Sequence, residues 1–172
     1  MKVRLEDIPP EGLEVEFEDR SVKASDLGQQ VAGLSEPPRA RLRLERQGDL
    51  VLARGGYRAG LNLICSRCLQ AVASRMGGPL EWVFSPPPPG ESEEVQLGGE
   101  EMDLLFYAGD ELDLAQALRD EIGLALPMAP QCRPDCRGLC PACGLPLAEG
   151  DCGCRRAQDD PRWAKLAELK LK

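Results

Sequence analysis

The chain has no histidine. That removes the side chain whose ordinary pKa lies in the physiological range. With it go the Ser–His–Asp arrangement, Cys2His2 metal sites and the His-x-Glu signature of nucleobase deaminases. Aromatic residues are scarce, with three Phe, two Trp and two Tyr in 172 positions, too few for a sheet that stacks successive bases on its rings. No apolar run approaches the roughly 20 residues that span a bilayer as a helix. Met1-Lys2-Val3-Arg4-Leu5-Glu6-Asp7 places acids where a secretory signal needs an apolar stretch. These absences predict a cytoplasmic protein with no membrane association; no catalytic group is visible, and no small-molecule substrate is expected. Apolar residues make up 42% before the 18 glycines are added, which excludes a wholly disordered chain.

What is present in excess is cysteine, with eight residues in four close pairs. These are Cys65 and Cys68, Cys132 and Cys136, Cys140 and Cys143, and Cys152 and Cys154. In a reducing cytosol such thiols read as metal ligands or redox groups before they read as disulfides. A C-x2-C turn offers two thiolates to one side of a tetrahedral ion, its backbone N–H groups facing the sulfurs, and Gly144 supplies a tight exit. The most economical grouping joins Cys140 and Cys143 to Cys152 and Cys154. Cys65, Cys68, Cys132 and Cys136 then form a second site that staples the sheet to the C-terminal region. Three groupings of the four pairs are possible and spacing alone does not choose; the short C-x-C spacing leaves open that one member is idle. The prediction is one or two structural Zn2+ ions. A thioredoxin-like role for Cys65 and Cys68 would want a βαβ setting, whereas the flanks read as strand. Catalytic zinc wants three protein ligands and an open position, and an iron–sulfur cluster is less suited to a turn built with Pro141 and Gly144.

The rest of the chain reads as α+β: a β-rich antiparallel meander or small barrel with one packing helix, followed by a zinc-ribbon-like module that ends in a short helix. Leu13–Glu18 and Arg39–Leu44 alternate apolar and charged residues, the period of half-buried strands. Further strands are expected over 50–53, 57–65 and 81–84, and a short one over 102–107. Gln47-Gly48-Asp49 reads as a turn and Gly55-Gly56 as a bulge or corner. The β-rich domain covers 1–126. It includes a Pro-rich, acidic linker at 86–101 and a helix over 113–126 that Asp113 caps, with Gln116 placed for a capping box. The module covers 127–172, its closing helix opened by Asp160-Pro161.

Charge is uneven. Arg39–Arg75 holds eight arginines against Glu45 and Asp49, whereas Glu81–Glu121 holds twelve acids against Arg119 alone. Arg39, Arg41 and Arg43 on one strand face, with Arg58 and Arg67 near in sequence, could track phosphates; the competing expectation pairs them with Glu14, Glu16 and Glu18 across the sheet. The acidic stretch would instead attract a strongly basic protein. Arg162 and Trp163 are further candidates for partner contact, a core role for Trp163 being the simpler reading.

Several motifs in fixed order resemble the YceD family, named for large ribosomal RNA subunit accumulation. They are Leu63-Ile64-Cys65-Ser66-Arg67-Cys68-Leu69, then Asp120-Glu121-Ile122-Gly123-Leu124-Ala125-Leu126-Pro127, then Cys132 to Cys143 as C-x3-C-x3-C-x2-C-Gly144. Cys152-x-Cys154 and Asp160-Pro161-Arg162 complete the set. The resemblance implies a non-enzymatic factor for accumulation of 23S ribosomal RNA in large-subunit biogenesis. Its partner would be the large-subunit rRNA precursor, a basic ribosomal protein, or both. The alternatives are a zinc-ribbon chaperone or adaptor acting off the ribosome, and a general zinc-ribbon nucleic-acid-binding module.

Overall fold

The computed structural model describes residues 1–87, 104–148, 150 and 152–154. Five strands form the main sheet in spatial order β2-β3-β4-β5-β6: β2 Leu13–Glu18, β3 Val31–Gln47, β4 Leu50–Ile64, β5 Ala71–Ser85 and β6 Leu104–Phe106. All pairings are antiparallel except β5 with β6. A two-stranded sheet pairs β1 (Lys2–Arg4) with β7 (Glu111–Asp113), and two helices follow as α1 (Ala24–Leu27) and α2 (Leu114–Ala125).

Alternation fixes which face is which. Leu42 and Leu44 of β3, Val51, Ala53 and Leu61 of β4, and Leu80, Trp82 and Phe84 of β5 point inward. They meet Leu112, Leu114, Leu118 and Ile122, all 0% exposed, in one apolar cluster. Each large side chain so buried contributes about 1.5–3 kcal/mol. Helix α2 is capped as its sequence predicts, since the Asp113 carboxylate accepts from the Gln116 N–H at 3.0 Å. The other half of the capping box is absent, because the Gln116 amide reaches forward to Asp120 at 2.9 Å. Behind the helix, Arg119 donates to the buried Asp19 carboxylate at 2.8 Å and to Ser21 at 3.0 Å.

Two expectations are corrected. Gly55-Gly56 is no corner: β4 runs unbroken through it, in register with Leu42 and Arg41. Glycine is needed there because a Cβ on Gly55 would run into the Arg41 carbonyl oxygen. The irregularities lie in β3 instead, with register shifts between Val31 and Arg39 around Pro37-Pro38, where prolines lack the N–H a regular ladder requires. The final strand also begins at Ala71, ten residues before Glu81, because Gly77, Gly78 and Pro79 do not read as strand. Pro79 is tolerated since β5 meets β6 only at Val83–Ser85. The linker from 88 to 101 and the closing helix with Arg162 and Trp163 lie outside the described residues.

Candidate metal centres

The antiparallel course of β4 and β5 brings their ends together at Ile64 and Ala71, and the connecting turn carries Cys65 and Cys68. The backbone closes on itself there: the Cys65 N–H donates to Gln70 O at 2.9 Å and the Leu69 N–H to Cys65 O at 2.9 Å. Cys140–Leu145 repeats the device, with the Cys140 N–H on Leu145 O at 2.8 Å and the Gly144 N–H on Cys140 O at 2.8 Å. The residue after the second cysteine is left-handed in both turns, Leu69 at φ 61° and Gly144 at φ 73°. The sequence signalled this conformation only for the glycine.

All eight cysteines assemble into two cages. Cys65, Cys68, Cys132 and Cys136 form one, and Cys140, Cys143, Cys152 and Cys154 the other, with every sulfur within 4.8 Å of the rest of its group. This is the economical grouping, and both members of the C-x-C pair take part. In the first cage the Cys65 and Cys136 sulfurs lie 3.9 Å apart and those of Cys68 and Cys132 3.7 Å apart. Four thiolates about 2.3 Å from a tetrahedral zinc sit roughly 3.8 Å from one another, whereas disulfide sulfurs sit at about 2.05 Å. The cage therefore fits a tetrahedral ion.

Electrostatics favours the same occupant. Backbone N–H groups of Cys68, Arg67 and Cys132 hold the Cys65 thiol down to about 6. Those of Cys143 and Ala142 hold Cys140 down to about 6. One sulfur in each cage behaves oppositely. The neighbouring Cys136 thiol and burial push Cys132 up to about 12, and the Cys143 and Cys152 thiols push Cys154 up to about 12. One thiolate is prepared by each turn, but four cannot coexist in so small a volume without a cation.

The cages have different walls. In the first, Cys65, Cys68 and Cys136 are at most 3% exposed, with Val72 and Leu139 packed against them. Ser66 N–H donates to Pro130 O at 2.8 Å, and the Arg67 guanidinium to Cys136 O at 3.1 Å and Pro134 O at 3.4 Å. Arg67 thus clamps the far loop onto the knuckle, a role that its spacing did not reveal. In the second cage Cys143 and Cys154 are exposed and Cys152 half-buried. Its connection to the first is short, with Leu139 bridging Pro146 and the Leu147 N–H donating to Gly138 O at 2.9 Å.

The arginine row lies elsewhere, on the outer face of the sheet. Register places Arg39, Arg41 and Arg43 opposite Glu18, Glu16 and Glu14. Ion pairs join Arg39 to Glu18 at 2.8 Å, Arg41 to Glu14 at 3.3 Å and Arg43 to Glu45 at 2.9 Å. On the other side Arg54 pairs with Glu81 at 2.8 Å. Arg58 stands between Arg39 and Gly77. With Glu14, Glu16, Glu18, Glu45 and Glu81 set against Arg39, Arg41, Arg43, Arg54 and Arg58, this face carries no net charge. Among the described residues no helix is long and apolar enough to cross a membrane.

The chain is similar to known proteins. The Mycobacterium tuberculosis protein Rv2926c is 41% identical over 128 residues, covering 74% of this chain and 59% of that protein. The Mycobacterium leprae protein ML1660 is 34% identical over 128 residues, covering 74% of this chain and 57% of that protein. The chain thus spans less than two thirds of the length of these curated relatives. No solved structure matches it significantly. The family model described as "Large ribosomal RNA subunit accumulation protein YceD" matches residues 53–170, from near the start of β4 through both cysteine cages, and the chain belongs to that family.

Proposed function

We propose that the protein is a non-enzymatic factor of large-ribosomal-subunit biogenesis, required for 23S rRNA accumulation, and that it engages a basic ribosomal protein. Two structural Zn2+ ions, one per cysteine cage, hold its C-terminal region in place. The observation that carries the choice of partner is the neutral outer face. Of the arginines that could follow phosphates, Arg39, Arg41 and Arg43 are matched by Glu18, Glu14 and Glu45 within ion-pair distance. The chain as a whole carries −8, and each Zn2+ held by four thiolates adds a further −2. Such a field attracts a cationic protein and repels a polyanion.

The surface supports the non-enzymatic reading. One depression among the described residues, about 500 Å3, is lined by Arg4, Leu5, Glu6, Arg46, Asp110 and Glu111. Arg4 is tied to Glu6 at 3.1 Å and to Glu111 at 3.9 Å, so these charges answer one another instead of converging on a ligand.

Sedimentation of cell lysate on a sucrose gradient, followed by crosslinking of the particle fractions, tests the reading. The expected result is sedimentation with immature large subunits and a crosslink to a basic ribosomal protein that survives nuclease. A crosslink to rRNA that disappears in the Arg39→Ala/Arg41→Ala/Arg43→Ala variant would replace this partner with RNA. Protein confined to the top of the gradient, with no particle crosslink, would replace it with an off-ribosome chaperone.

A further inference from the structure

The two cages are built from the same turn yet differ in access. In the first, a Cβ added to Gly138 would come within 3.2 Å of the Arg67 carbonyl oxygen, a measure of how closely the walls approach. In the second, Gly144, Gly150 and Gly153 all have positive φ, and a Cβ on any of them would meet nothing among the described residues within 4 Å. Cys143 precedes one of these glycines and Cys154 follows another. Both cysteines are exposed, and their sulfurs lie within 4.8 Å of each other. Two exposed cysteines with sulfurs this near each other, beside open space, have the geometry of a thiol pair that a small oxidant can reach.

We propose that Cys143 and Cys154 are a reversible oxidation site for hydroperoxides, at which the second cage opens while the first stays closed. The inference rests on the reading of the second cage as a zinc site. In the first step one thiolate attacks the peroxide O–O bond, so that an S–O bond forms and hydroxide leaves. The other thiolate then attacks that sulfenic sulfur; the S–S bond forms, the S–O bond breaks and a second hydroxide leaves. The two sulfurs supply the two electrons that reduce hydrogen peroxide, and two solvent protons convert the hydroxides to water. Closing from a tetrahedral edge of about 3.8 Å to about 2.05 Å is a short movement for residues flanked by Gly144 and Gly153. Cys140 and Cys152 are then left as two ligands, too few to retain a structural ion. A dithiol reductant reverses the exchange and restores the four thiolates.

The test uses the full chain loaded with zinc, its stoichiometry measured before and after titration with hydrogen peroxide, and its disulfides mapped by peptide mass. The expected result is loss of one ion of two, a single Cys143–Cys154 disulfide, release from the first cage at least tenfold slower, and recovery with dithiothreitol and zinc. Simultaneous loss of both ions would overturn the proposal, as would a disulfide containing Cys65, Cys68, Cys132 or Cys136, or no disulfide at all. An untreated protein holding one ion, with Cys140, Cys143, Cys152 and Cys154 all open to alkylation, would instead refute the zinc site of the second cage. In that case the peptide map still decides whether Cys143 and Cys154 are the pair that oxidises.

Discussion

Cys65–Gln70 and Cys140–Leu145 make the same two backbone hydrogen bonds and present two sulfurs in the same way, but one turn is set into a sheet and the other into a loop. The first joins two long paired strands, and its partner cysteines arrive from beyond α2, 64 positions past Cys68 at the nearest. The second closes within fifteen residues and has exposed sulfurs on its outer side. A shared ligand turn therefore says little about what a metal site does for the fold. What matters is how much chain the site ties together and what covers it.

Removing one ligand from each cage should separate them most sharply. Cys136→Ser is expected to release one zinc and to lower the unfolding free energy by about 4 kcal/mol, because the lost cross-link closes a loop of more than sixty residues. Cys154→Ser should also release one zinc but cost the sheet about 1 kcal/mol or less. Urea unfolding followed by circular dichroism, with zinc measured alongside, checks both; equal losses would erase the distinction. Next in size is a contact remote from both cages. Arg119→Met leaves Asp19 buried without its cation and should cost about 3 kcal/mol with no change in zinc content.

That contact also carries a pH signature. Burial pushes the Asp19 carboxyl up, but hydrogen bonds from Arg119 and Ser21 outweigh it and hold the group below its ordinary value. Its contribution is fully present above the unfolded pKa of about 3.9 and is lost as the pH falls through the lower folded value. Asp19→Asn should therefore flatten the stability profile across that acid window, which unfolding curves at stepped pH would show.

A smaller effect tests the turns themselves. Leu69 is left-handed and 62% exposed, so packing does little to offset its backbone strain. Gly144→Leu should cost about 1 kcal/mol. Leu69→Gly should be neutral or gain roughly half a kcal/mol, since relief of strain is offset by the greater freedom of the unfolded chain. Thermal melts would show a loss for Gly144→Leu and no loss for Leu69→Gly if the turns are equivalent. Smallest of all, Arg41→Ala should change stability by less than about 0.5 kcal/mol, because its partner Glu14 is exposed and solvent screens the pair.

The parts of this molecule legible in the sequence were those with a short, strict chemical code. Cysteine spacing picked out the eight ligands and made the observed grouping the most economical of three, and alternation located β2 and the central part of β3. Asp113 located the start of α2. Where backbone contacts decided the conformation, single residues misled. Gly55 signalled a corner but serves a close approach to Arg41 inside a continuous strand, and Gly77-Gly78-Pro79 concealed the first half of β5. Arg67 showed the limit differently: its charge grouped it with the phosphate-facing arginines, whereas its position in the turn makes it a clamp on the Cys132–Cys136 loop. Neither C-x2-C spacing nor charge could report the unequal exposure of the cages, which depends on segments distant in sequence.

The separation between Cys68 and Cys132 also bears on the order in which the protein is made. Synthesis proceeds from the N-terminus, and hairpins between neighbouring strands form early because their contacts are local. The β3–β4–β5 meander and its turn can therefore assemble while Cys65 and Cys68 hold only half a coordination shell. Closure has to wait for Cys132 and Cys136, which follow α2. During that interval the growing chain exposes an unfinished two-thiol claw at the end of its longest hairpin. Metal capture at the first cage, where it occurs, would thus mark the moment when the sheet, the helix and the loop through Cys136 have been synthesised and brought together, with the second cage still to follow.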